Sequence, residues 1–113
     1  MATVADYVVV SDAPVPTLPV NFKVSQDLTK ETKSVITYVV TSVTSNFTFK
    51  MFINGMALEG GTVKVGQGPC ALQEVIDVGV LVPSPGTNDL QINVTQGSGT
   101  FRDIVVLYQH TIV

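Results

Sequence analysis

Tryptophan is absent from this 113-residue chain, and cysteine and histidine occur once each, as Cys70 and His110. A lone cysteine closes no disulfide within the chain, so the fold must be held by its core. One histidine and one cysteine also fall short of a zinc ligand set. Charge is scarce as well: 13% of residues are charged, six Lys and Arg against nine Asp and Glu, for a net charge of -3. Without a basic run there is nothing to neutralise a phosphate backbone, which excludes nucleic acid as the expected partner. Apolar runs such as Val78 to Val82 are short, far from the roughly 20 residues that span a bilayer, so no membrane crossing is expected. Alanine (5) and leucine (7) are few, which disfavours helices.

Valine (21) and threonine (13) dominate instead, and β-branched side chains fit a pleated sheet better than a helix. With 45% hydrophobic residues the chain is too apolar to stay disordered, and its length suits one domain. The reading is therefore a single all-β domain over residues 1–113.

Period-2 alternation and turn residues divide the chain into about eight strands. Tyr7 to Val10 is the first apolar run. Ser11 to Pro19 carries three prolines and reads as a connection. Val20 to Ser25 alternates as a half-buried strand, and Asp27 to Lys33, with Lys30 and Glu31, reads as a solvated loop. Ser34 to Val43 is apolar on both faces, and Ser45-Asn46 is expected to turn it into an antiparallel hairpin with Phe47 to Asn54. Met56 to Glu59 is then a short piece bracketed by Asn54-Gly55 and Gly60-Gly61, and Thr62 to Val65 a further strand. After a Gly66 to Cys70 loop, Leu72 to Val82, Leu90 to Thr95 and Phe101 to Val113 complete the set. Ile104 to Tyr108 breaks the alternation, so that strand is expected to hide both faces. An even number of antiparallel strands with one apolar face each predicts two antiparallel sheets packed as a jelly-roll-like sandwich.

Within this pattern Phe47 and Phe49 share the parity of Met51 and Ile53 and are expected in the core. Phe52 has the opposite parity and is the candidate for an exposed contact. Tyr38 and Tyr108 are amphipathic and fit either an interface or a satisfied buried phenol.

Three segments carry a family resemblance: Met51-Phe52-Ile53-Asn54-Gly55; Val75 to Val78 through Pro85-Gly86-Thr87-Asn88-Asp89-Leu90-Gln91-Ile92-Asn93-Val94; and Phe101 to Tyr108. Over residues 51–108 the chain resembles the galactose-binding-like jelly-roll domains found beside many glycoside hydrolases. The resemblance implies a β-sandwich that hosts sugar binding, protein binding or a structural role. Sugar-binding members usually offer an aromatic platform with polar flanks, and here Phe52 and Asn88 are the residues to test.

Catalytic chemistry is thin. Cys70 and His110 are not expected to pair as nucleophile and base. Asp77, Asp89 and Asp103 are scattered rather than arranged for calcium. The Gly-x-Gly pieces at 66–68 and 97–99 join strands, so they are turns rather than phosphate loops. Two Asn-x-Thr sequons, at Asn46 and Asn93, are expected to be silent, because the first residues, Met-Ala-Thr-Val-Ala-Asp-Tyr, show no signal peptide. No enzyme, cofactor or metal is expected.

Two functional classes remain. The first is a structural assembly protein, in its concrete form a virion decoration, cement or tail component. It is made in the cytoplasm and then placed in a virion or outside the cell. It would dock as a homo-oligomer or on a larger particle through its termini and faces, with Tyr7, Val8, Val9, Val10 and Tyr108 as contacts. The second is a lectin-like carbohydrate-binding module using Phe52 and Asn88 on a glycan.

Overall fold

Branched side chains set the secondary structure throughout: every regular element is a strand. The structure, a computed structural model, describes residues 2–12 and 19–112. The strands are β1 (Ala2–Ser11), β2 (Val20–Phe22), β3 (Ser34–Ser42), β4 (Phe47–Ile53), β5 (Met56–Val65), β6 (Gly68–Ile76), β7 (Asn88–Gln96) and β8 (Gly99–Ile112). They form two four-stranded antiparallel sheets, ordered β1-β8-β3-β6 and β2-β7-β4-β5. This interleaving is that of a jelly roll, so both the all-β class and the sandwich architecture hold.

The core lies between the sheets and follows the alternation. Phe47, Phe49, Met51 and Ile53 of β4 face Ile36, Tyr38 and Val40 of β3, with Phe101, Ile104 and Val106 of β8 beside them, all buried. At its centre Phe49 stacks edge-on against Phe101, with ring centroids 4.9 Å apart and planes at 84°, and Tyr38 and Phe47 complete the aromatic group.

Several local expectations are corrected. β3 and β4 do not form a hairpin. They lie in different sheets, and residues 43–46 cross between them. An apolar strand followed by a turn and another apolar strand satisfies the same pattern whether the second strand pairs with the first or packs across from it, so alternation alone could not choose. The crossover is fixed from outside: Val43 N–H donates to Ser98 O (3.0 Å), and a Cβ on Gly99 would come within 2.8 Å of both Thr41 O and the Phe47 ring. The true two-residue hairpin joins β4 to β5 at Asn54-Gly55, where both residues take positive φ (54° and 80°), the geometry that Asn-Gly favours. Beyond it β5 is one strand with an irregularity at residues 58–61 rather than two pieces.

β6 starts at Gly68 and ends at Ile76, so the expected strand from Leu72 to Val82 stops early. Val80 and Leu81 are buried from a loop instead. Ile104 to Tyr108 does not hide both faces: Ile104, Val106 and Tyr108 are buried, Val105 is half-buried and Leu107 exposed, so burial alternates and only the apolar character of the outward residues obscured it. A bulge lies just before this run, at Arg102-Asp103, with Asp103 at φ 52°. The bulge shifts parity by one residue, so that Phe101 and Ile104, three residues apart, both face inward. The proline-rich connection falls largely on residues 13–18, outside the described residues.

Candidate functional site

With the core filled, the two outer sheet faces are the broad surfaces left to solvent. On the β2-β7-β4-β5 sheet, the outward residues of β4 are Thr48, Lys50 and Phe52, each half-buried. Phe52 sits between Gln91 of β7 and Ala57 of β5, and Lys50 sits between Asn93 and Thr62. Gln91 and Asn93 are exposed, and Thr48 and Thr95 share a hydroxyl hydrogen bond of 2.8 Å beside them. Around Phe52 and Lys50 the face thus offers an aromatic ring, the carboxamides of Gln91 and Asn93, which both donate and accept, and an ammonium, with Lys64, Asn21 and Asp89 further out on the same face.

The opposite face, outside β1-β8-β3-β6, carries an apolar stripe. Tyr7 (63% exposed) lies across from Leu107 (42%), and Leu107 from Val35, which in turn faces Val75 (37%). In the next row Val9 (50% exposed) lies across from Val105. The β8 bulge opens a hollow of about 360 Å³ lined by Thr37, Val39, Ala71, Gln73 and Asp103, and a second of about 190 Å³ lies by Ala5, Lys33, Val35 and Gln109.

The expected contact residues therefore divide. Tyr7 and Val9 are exposed, and Phe52 is half-buried on the polar face. Val8 and Val10 point inward and pack against the core. Tyr108 is buried: it accepts a hydrogen bond from Ser25 N–H (3.0 Å) and donates to Asp6 Oδ2 (3.3 Å). Burial, the largest influence, pushes its phenol pKa up, so it is the satisfied phenol rather than the interface residue. Asn88 is fully buried and touches no solvent. Its Oδ1 accepts from Val82 N–H (2.8 Å) and from Asn54 Nδ2 (2.9 Å), and its Nδ2 donates to Val82 O (3.0 Å). Asn54 Nδ2 also donates to Val80 O, and its Oδ1 accepts from Asp89 N–H. The Asn-Gly and Asn-Asp pieces that carry the family resemblance are thus a clamp tying the 80–82 loop to the β4–β5 turn. Asn88 is withdrawn as a glycan contact.

Cys70 and His110 stand apart. Cys70 lies in register with Val40 and Phe101, nine positions along β8 from His110, which is roughly 30 Å of strand. His110 Nδ1 is bonded to Asp6 Oδ2 at 2.9 Å. Among the described residues, no group of three or more His, Cys, Asp or Glu side chains gathers as a metal site.

One group escaped the sequence reading. Glu74 shares the inward parity of Leu72 and Ile76 on β6 and is buried, the one sign in the sequence of its position. Tyr38 O–H donates to Glu74 Oε2 (2.8 Å), while Oε1 is buried without a hydrogen-bond partner among the described residues and lies 2.8 Å from where a Gly60 Cβ would be. Burial pushes the Glu74 carboxyl above its usual 4.5, against the lowering effect of the Tyr38 bond. The same burial, with the neighbouring carboxylate, pushes the Tyr38 phenol up. Because the folded-state pKa is raised, the folded chain holds this proton better than the unfolded chain. The resulting stability is complete below about pH 4.5 and is lost as pH climbs through the raised value. Glu74→Gln should therefore flatten the pH dependence of unfolding above pH 4.5 and stabilise the chain at pH 8, with an upper scale of about 1–3 kcal/mol for a buried group left unpaired. Urea midpoints from pH 4 to 8 test this, and parallel curves for the two proteins would refute it.

No protein-family model matches the chain, and no curated protein matches it in sequence. Among solved structures, its fold is similar to the N-terminal cellulose-binding domain of Cellulomonas fimi β-1,4-glucanase C, determined by NMR, at 13% identity and a TM-score of 0.46. The alignment covers 98% of this chain and 89% of that one.

Proposed function

We propose that the chain is a non-catalytic binding module that holds a glycan on the outer β2-β7-β4-β5 face, without metal or cofactor. Kinship with galactose-binding-like domains is part of this reading and rests on the matched segments of residues 51–108. The observation that carries it is the setting of Phe52, an aromatic ring in a ladder position flanked by Gln91, with Lys50 and Asn93 one row away. A pyranose ring has an apolar C–H face and a rim of hydroxyls. The first packs on an aromatic ring, and the second takes hydrogen bonds from carboxamides, so one aromatic surface with a few placed polar groups fits it.

A glycan array followed by calorimetry on the selected sugar tests the reading. Phe52→Ala should weaken binding at least tenfold, and Gln91→Ala severalfold, with unchanged circular dichroism and no conversion of the sugar. A wild-type chain without selectivity on the array ends the proposal.

A specific observation favours a second reading. The exposed Tyr7, Val9, Leu107 and Val75 on the opposite sheet suit a structural protein that docks on a larger particle, a virion decoration, cement or tail component among them. Large exposed apolar patches commonly mark such contacts.

A further inference from the structure

Each sheet has two edges, and three of the four carry a device that discourages pairing with another chain. β2 has only three residues, β5 is irregular at 58–61 and exposes Glu59 and Lys64, and β6 exposes Pro69. Short strands, bulges, charges and proline are the usual protections. β1 has none of these along most of its length. It runs in regular register with β8 from Ala2 to Val9, shifts only between Val9 and Ser11, and contains no proline. Its one charge, Asp6, is turned to its own chain: Oδ2 contacts Tyr108 and His110, and Oδ1 accepts from the Tyr7 N–H at 2.7 Å. Among the described residues no strand pairs with the second edge of β1.

We infer that this edge takes a second copy of the same chain, β1 against β1 in antiparallel register, continuing the β1-β8-β3-β6 sheet into one of eight strands. The strand is complementary to itself. A two-fold axis perpendicular to the sheet keeps outward residues opposite outward residues, so it must pass through a residue. At Asp6 it would set two carboxylates directly opposite, which is unfavourable. At Ala5 or at Val8 only seven residues of the two strands would overlap, Ala2 to Val8 or Ala5 to Ser11. At Tyr7 nine residues overlap, Thr3 to Ser11, and within the regular stretches Ala5 to Val9 pair with each other: Tyr7 meets its copy, Val9 meets Ala5, and Asp6 meets Val8. The local Tyr7–Asp6 bond is exchanged for a ladder bond. The wall so joined is about 30 Å long for nine residues of strand. With the shortest molecular dimension of 20 Å as its depth, it covers roughly 600 Å² per chain, at the lower end of specific interfaces. The joint also merges the two outer faces into one.

This inference does not rest on the glycan reading, and its test involves no sugar. Sedimentation of the full chain over a concentration series should show a species of twice 12.0 kDa, with concentration-dependent protection of β1 amides from hydrogen exchange. Tyr7→Lys/Val9→Lys should raise the dissociation constant at least 100-fold while keeping the fold, since both side chains are largely exposed. Ala5→Lys on the same edge is the second variant should that pair misfold. Val75→Lys, on the same face but at the far edge, should leave the dimer intact. A monomer at every concentration overturns the inference. So does a dimer that survives the β1 variants, or one that Val75→Lys splits, since the latter would be joined face to face.

Discussion

Phe49→Ala is expected to cost about 3–5 kcal/mol, the range for emptying a buried aromatic position. Phe49 is fully buried, and its ring packs against Phe101 at 4.9 Å, Phe47 at 5.3 Å and Tyr38 at 6.1 Å. These rings come from β3, β4 and β8, so the cavity opens where the two sheets meet and no single strand can move to fill it. Neighbouring rings also lose edge-to-face contacts worth about 0.5–1.5 kcal/mol each beyond burial. Domains of this size typically hold 5–15 kcal/mol in total, so the variant should be marginal at 37 °C. Its melting temperature should fall by at least ten degrees, at about 4 °C per kcal/mol. Phe49→Leu should recover more than half of the loss. Calorimetry on the three proteins measures this, and a Phe49→Ala midpoint within about 3 °C of wild type would mean that the aromatic group does not organise the core.

Asn88→Ala is the second large effect, about 2–4 kcal/mol, and it comes from polar groups rather than volume. The substitution strips partners from Val82 N–H, Val82 O and one of the acceptors of Asn54 Nδ2. Each such group left unpaired in the interior costs about 1–3 kcal/mol, partly offset where water reaches the 80–82 loop. Asn88→Asp separates the contributions. It keeps the acceptor for Val82 N–H but loses the donor to Val82 O and buries a carboxyl, so it should be less destabilising at pH 4 than at pH 7. Urea midpoints of both variants at the two pH values provide the measurement. The same proteins serve the functional question, because sugar binding that persists in folded Asn88→Ala is expected for a residue with no solvent contact. Loss of binding without loss of stability would return Asn88 to the site.

Much of the architecture was legible because burial in a sandwich writes itself into alternation. Phe47, Phe49, Met51 and Ile53 could be placed in the core, and Phe52 on the outer side, from parity alone. Two errors have different sources. Apolar residues on the outward side, Val105 and Leu107, made β8 look doubly buried, and the irregularity at residues 58–61 made β5 look like two pieces. Asn88 and Tyr108 were misjudged because polar atoms suggested exposure, whereas Asn88 is satisfied by Val82, six residues back, and by Asn54, 34 residues away, and Tyr108 by Ser25 and Asp6, 83 and 102 residues away.

The residue list by itself determined that this protein is β-structured, that its sheets stack on an apolar interior, and which parity of β4 faces inward. These follow from side-chain branching and from the two-residue repeat of a strand, both local properties. Only the tertiary structure decided which strands are neighbours, that β1 has no strand on its second edge among the described residues, and that Glu74 and Asn88 are enclosed. Pairing and enclosure depend on segments dozens of residues apart meeting in space, and no local pattern records which of them meet.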